Sequence, residues 1–195
     1  ALPISDFTFG WTNTFRYKNF DLSVFINGSY GNKVFNYLGM KLTHMNSAWI
    51  NQLNTITDRA QLIPVDANKV YANGGKWYDD VTNVTVANSA TSIPRASIQD
   101  PNDNDRVSDR YVEDGSYIRL KNITFGYTFP KNMIKKVGLE NLRVYANIQN
   151  LLTLTKYEGY DPEIGVSTAS ANVYGLDNGR YPSPTVYSFG LNVSF

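Results

Sequence analysis

The sequence predicts an all-β fold of one particular kind, five strands of a transmembrane antiparallel β-barrel with long loops at one end. Three observations predict it. Five segments alternate between large apolar and small polar residues, the period of a strand with one greasy face. Each runs to roughly ten residues, the length a tilted strand needs to cross a bilayer. The connections between them alternate short and long, as they do in bacterial outer-membrane barrels.

The first segment, 5–17, puts Phe7, Phe9, Trp11, Phe15 and Tyr17 on one parity and Thr8, Gly10, Thr12, Thr14 and Arg16 on the other. Lys18 and Asn19 make a short polar turn, so the second segment, 20–30, reads as its hairpin partner, with Phe20, Leu22, Val24 and Ile26 set against Asp21, Ser23, Asn27 and Ser29. The third, 117–129, breaks phase: Ile118 and Leu120 are even, whereas Ile123, Phe125, Tyr127 and Phe129 are odd. A β-bulge near Lys121 and Asn122 would return all six to one face. The fourth, 142–154, opposes Leu142, Val144, Ala146, Ile148, Leu152 and Leu154 to Arg143, Tyr145, Asn147 and Gln149. The fifth, 185–195, alternates most cleanly, with Tyr187, Phe189, Leu191, Val193 and Phe195 separated by Ser188, Gly190, Asn192 and Ser194.

The connections at 18–19 and 131–141 are short, whereas 31–114 and 156–184 are long enough to be rare in a compact soluble domain. If the long ones are extracellular, Phe195 faces the periplasm. One or two short helices are expected between Asn46 and Leu62. On this reading Leu191→Arg should cost about 2 to 4 kcal/mol near the bilayer midplane and little at an interface. A soluble β-sandwich would also hide a greasy face, but it rarely needs such long strands with one-sided loops.

Composition agrees. Aromatics reach 14% and charged residues only 18%, below the usual quarter. A net charge of +1 gives no field for nucleic acid. No stretch is apolar enough for a membrane-spanning helix. The chain holds no cysteine and begins at Ala1 with neither initiator Met nor a signal-peptide pattern, so it reads as part of a longer or processed protein.

Four stretches resemble the SusC/RagA-type TonB-linked transporters of Bacteroidetes outer membranes. They are the paired segments from Asp6 to Ser23; Arg110-Tyr111-Val112-Glu113-Asp114-Gly115-Ser116-Tyr117-Ile118-Arg119-Leu120-Lys121-Asn122-Ile123 and on to Tyr127; Leu142 to Leu151 followed by Gly159-Tyr160-Asp161-Pro162-Glu163; and Tyr181-Pro182 with the terminal Phe189 to Phe195. The resemblance implies a barrel of about 22 strands, of which these are the last five. It further implies a plug domain and TonB box outside this chain, coupling to TonB, and a SusD-like surface lipoprotein, the pair being compatible with a dimer of pairs. The function it implies is active import of an oligosaccharide or oligopeptide across the outer membrane. A passive porin or adhesin-like barrel and a soluble carbohydrate-binding sandwich remain the alternatives.

Candidate sites are few. No GxSxG elbow or HExxH helix appears, and no enzyme activity or cofactor is expected. His44, the one histidine, is read as a surface residue of the long loop. Asp100, Asn102, Asp103, Asn104 and Asp105 form an oxygen-rich run of the kind calcium takes, without the EF-hand glycine or late glutamate; a solvated turn is the simpler reading. Trp49, Trp77 and Tyr78 could stack on cargo or on the lid lipoprotein, or pack within the loop. Arg143, Tyr145, Asn147 and Gln149 are expected on the lumen face, towards plug or cargo.

Overall fold

The computed structural model describes residues 4–45, 49–100, 103–163 and 175–195, leaving aside the side chain of Asn73. The chain divides into two compact units, one made of Ala1–Asn36 with Val112–Phe195 and the other of Tyr37–Tyr111.

The first unit is built on five long strands. In chain order its strands are β1 (Phe7–Tyr17), β2 (Phe20–Tyr30), β3 (Lys33–Asn36), β6 (Val112–Asp114), β7 (Tyr117–Thr128), β8 (Asn141–Thr155), β9 (Leu176–Asp177) and β10 (Val186–Ser194), while β4 (Leu62–Pro64) and β5 (Val84–Val86) belong to the second unit. The long sheet runs β1-β2-β7-β8-β10, antiparallel throughout. Its turns gather at one end. Tyr17 pairs with Phe20 across Lys18 and Asn19, the Thr128 N–H donates to the Asn19 carbonyl, and the Glu140 N–H donates to the Ser194 carbonyl. The 129–140 connection and the end of β10 therefore lie beside the hairpin turn. The long connections leave from the other end, where Phe7 pairs with Tyr30 and Tyr117 with Thr155.

Register carries the alternation across all five strands. Trp11 faces Ile26, Val24 faces Ile123, Ile123 faces Ile148, and Ile148 faces Tyr187. This makes one continuous apolar face, and it is exposed: Trp11 is 53% and Phe189 84% accessible. Such a patch far exceeds what a soluble surface normally shows. The phase slip in the third segment is resolved by an irregularity between Leu120 and Asn122, which leaves Lys121 outside the ladder and keeps Ile118 and Leu120 on the face of Ile123. In β8, Leu152 faces Leu120 and Gln149 faces Asn122, so Asn150 and Leu151 are also extra to the ladder, and Asn150 takes a φ of 52°. Leu191 lies opposite Val144, which in turn faces Tyr127, so its place is close to the short-turn end and away from the middle of the face.

Glycines on this sheet make room for rings. Phe9 lies over Gly28, Phe25 over Gly10, and Tyr145 over Gly190. A methyl group at Gly28 would stand 2.6 Å from the Tyr117 carbonyl oxygen as well as meeting the Phe9 ring, so backbone must move. Gly28→Ala should cost about 1–3 kcal/mol, whereas Gly10→Ala, 3.3 Å from the Phe25 ring, should cost less. Urea unfolding of the full-length protein in detergent would separate the two; equal effects would contradict the backbone clash.

At the long-connection end a small sheet orders β6-β3-β9, with Val34 at 1% exposure. The second unit holds the β4–β5 pair, helix α1 (Tyr37–Leu42) and short 3-10 turns. The helix falls at Tyr37–Leu42, ahead of the stretch where helices were expected; within that stretch only a 3-10 turn at Asn54–Asp58 is seen among the described residues. The last helix, α2 (Lys131–Ile134), occupies the connection between β7 and β8 and buries Ile134.

Candidate functional site

The apolar face carries two aromatic clusters. At the short-turn end Phe20, Tyr127 and Phe129 pack in series, the first pair tilted with ring centroids 4.7 Å apart and the second edge to face at 5.0 Å. At the other end Phe7 packs on Tyr30 at 5.5 Å and on Phe9 at 6.3 Å. From Phe7 to Tyr17, ten steps of about 3.3 Å on a strand tilted by about 40° rise about 25 Å, the height of an outer-membrane apolar band. The rings thus sit where such a band has its interfacial girdles.

The opposite face is polar, and several of its side chains pair with one another, although Asn27 Oδ1 is buried there without a partner. Arg143 reaches over Gly126 to Asp21 with two hydrogen bonds, 3.1 Å from Nε and 2.6 Å from Nη2. Asn147 Nδ2 donates to Asn122 Oδ1 at 2.6 Å and to Thr124 Oγ1 at 2.7 Å. Arg143, Tyr145, Asn147 and Gln149 all lie on this face, and the first three are occupied with their strand neighbours.

Towards the long-connection end this face carries a buried charge cluster that sequence reasoning did not single out. Arg119 is 3% exposed. Its Nε donates to Thr153 Oγ1 at 2.8 Å, one terminal nitrogen to Glu163 Oε2 at 2.7 Å and the other to Asp161 Oδ1. Lys121, freed from the ladder by the bulge, donates to both oxygens of Glu163 at 2.8 and 2.6 Å. Burial alone would raise the Asp161 pKa, but Arg119 and the N–H groups of Ser183 and Glu163 outweigh it and hold the carboxyl below its usual value. Nearby, the Tyr157 hydroxyl donates to Asp177 Oδ2 at 2.5 Å; burial, and next its bond to Asp177, push that phenol far above its ordinary pKa, so it stays a neutral donor. Glu113 accepts from Asn36 Nδ2 at 2.8 Å and from the Glu158 N–H at 3.0 Å. The signal in the sequence is an arginine and a lysine flanking Leu120 in a strand with no other charged residue, together with the Asp161 and Glu163 pair around a proline.

In the second unit Trp49 is 95% exposed, while Trp77 and Tyr78 meet edge to face at 5.6 Å. Asp100 folds a turn on itself: its carboxylate accepts from Asn104 Nδ2 and from the Asp105 N–H, both at 3.0 Å, and Asp103 takes a φ of 49°. Asn102 lies outside the described residues, and among the described residues no three acidic, histidine or cysteine groups come together to hold a metal.

His44 is not at the surface. It is buried, with Nε2 2.8 Å from the Tyr111 hydroxyl, because the α1 segment and the 3-10 turn carrying Tyr111 pack together in this unit. Burial pulls its pKa below 6.5 against the attraction of Asp105 and Asp100. The unfolded chain therefore binds the proton more readily. The stability that neutral His44 confers is fully present above pH 6.5 and is lost as pH falls through the lower folded value. Protection factors of the amides around Tyr111, with the intrinsic pH dependence of exchange divided out, should fall below pH 6.5 in the wild type and stay flat in His44→Gln; a flat wild-type profile would refute this.

A five-stranded antiparallel sheet, greasy on one side and polar on the other, defines an all-β protein of the barrel-wall type. The comparisons agree with that class and narrow it. No protein-family model matches the chain. It is 36% identical over 99% of its length to TonB-dependent receptor P3 of Formosa agariphila and 28% identical over 99% to TonB-dependent receptor SusC of Bacteroides thetaiotaomicron. It spans only 17% and 15% of those two relatives. Among solved structures, the RagAB peptide transporter matches with a TM-score of 0.63 over 92% of the chain and 16% of the transporter chain, at 22% identity, a likeness of fold. Along nearly its whole length the chain is similar in sequence to TonB-dependent receptors, SusC among them, and it shares its fold with the corresponding part of the RagAB transporter.

Proposed function

We propose that the chain is the C-terminal wall of an outer-membrane barrel through which a large nutrient, an oligosaccharide or oligopeptide, is imported at the expense of TonB-transmitted energy. The observation that carries this is the match to TonB-dependent receptors over 99% of the chain, and the aromatic-bordered apolar face is what a lipid-facing wall requires. β1 and β10 each pair on one side alone within the described sheet. Open edges of that length invite further strands, and five strands are too few to close a barrel. On this reading the short turns and Phe195 lie on the periplasmic side, and the long connections, with Trp49, Trp77 and Tyr78, lie outside, towards cargo or a SusD-like lipoprotein. Arg143, Tyr145, Asn147 and Gln149 then line the lumen towards plug and cargo. The chain's part in import is to form the wall, and covalent catalysis is no part of it.

Uptake of a labelled cargo by cells carrying the full-length receptor tests the proposal. Import should stop when the inner-membrane proton gradient is collapsed or TonB is deleted. Undiminished uptake under either condition would establish a passive porin instead.

A further inference from the structure

The connection from β8 to β10 leaves the sheet after Thr155 and rejoins it at Val186, and two buried carboxylates join its arms at the root. Asp161, on the outgoing arm, accepts from Arg119 on β7 and from the Glu163 N–H at 2.9 Å with one oxygen. With the other it accepts from the Ser183 N–H on the returning arm at 3.0 Å. Asp177, on the returning arm, accepts from the Tyr157 hydroxyl on the outgoing arm, and its second oxygen accepts from the Gly179 N–H at 2.9 Å. Asp177 also lies in β9, paired with Asn36 of β3. Each carboxylate therefore bonds both arms and also sits against a strand of the first unit. At 8% and 2% exposure, neither can exchange these partners for water without leaving a buried charge unpaired.

The neighbouring pair is of a different kind. The side chains of Lys121 and Glu163 are 33% and 32% exposed, so their attraction is open to screening by salt.

We propose that 157–163 and 175–183 form a strap locked on the polar face of the sheet. Arg119–Asp161 fixes it to the sheet, Tyr157–Asp177 clamps its two arms together, and Lys121–Glu163 is an outer contact that salt loosens. If the polar face lines an import route, a locked strap holds this part of the wall immobile while cargo passes beside it; that consequence alone rests on the proposed function.

Hydrogen exchange of the full-length receptor in detergent tests the lock. In Arg119→Ala, exchange in peptides covering 160–163 and 179–183 should rise about tenfold or more, with β7 and β8 still protected. Unchanged exchange in the arms would overturn the lock. Should β7 and β8 also lose protection, Asp161→Asn, which leaves every strand residue in place, decides: faster exchange confined to the arms supports the lock, and retained protection overturns it. Raising salt from about 0.05 M to about 0.5 M should speed exchange at Glu163 in the wild type and not in Lys121→Gln; a wild type indifferent to salt would overturn the outer contact. None of these readouts depends on transport, so a failed strap and a failed import reading are told apart.

Discussion

Asp161→Ala should destabilise the β8–β10 connection by about 3–5 kcal/mol, because it leaves the Arg119 guanidinium buried without its main anionic partner. Arg119 and Asp161 have side chains only 4% and 8% exposed, so water cannot replace the carboxylate. Glu163 keeps one of the guanidinium nitrogens, which favours the lower part of that range. The same bond fixes the pH dependence. With its folded pKa held below 3.8, Asp161 contributes stability that is fully present above that value and is lost as pH falls through the depressed one. Acid titration of the wild type, followed by the protection factor of the Ser183 amide with the intrinsic pH dependence of exchange divided out, should show the arms loosening only below pH 3.8; Asp161→Ala should be loose at every pH. Loosening of the wild type near neutrality would mean that the carboxyl is not ion-paired.

Placing a charge on the apolar face should have nearly as large an effect, and its size should depend on depth. Ile123 pairs with Val24 and Ile148 in the middle of the face, so Ile123→Arg should cost about 2–4 kcal/mol in a bilayer. Leu191, in register with Val144 and, through it, with Tyr127 of the short-turn aromatic cluster, should cost about 0–1 kcal/mol as Leu191→Arg. Urea titration of the full-length receptor in lipid vesicles, read by the gel mobility of folded and unfolded forms, measures both. Equal and negligible costs would argue that this face meets water.

The two faces of the sheet were legible in the sequence because side-chain period converts directly into geometry. Even the phase slip at Lys121 could be located, since a bulge is the local remedy for a parity error. The extra residues Asn150 and Leu151 in β8 were harder to see, because a gap of four from Ile148 to Leu152 preserves parity and leaves no trace in the pattern. The charge cluster was hidden for a different reason. Arg119 and Asp161 are 42 residues apart, and nothing local in either segment says that they meet. Polarity alone makes His44 a surface residue in the sequence, whereas in the fold the Tyr111 hydroxyl supplies the partner that lets an imidazole be buried.

The rings seated over glycines bear on how the strands find one another. A slip of one residue between neighbours would be rejected at once, since it would turn the greasy side chains inward. A slip of two would not, because alternation survives it. What such a slip destroys is the fit of Phe9 over Gly28, Phe25 over Gly10, and Tyr145 over Gly190, and the passage of Arg143 across Gly126 to Asp21. Every pairing in the long sheet contains at least one of these matches, so they work as keys cut for a single alignment. They give the chain a means of proofreading its own assembly that the hydrophobic pattern alone lacks.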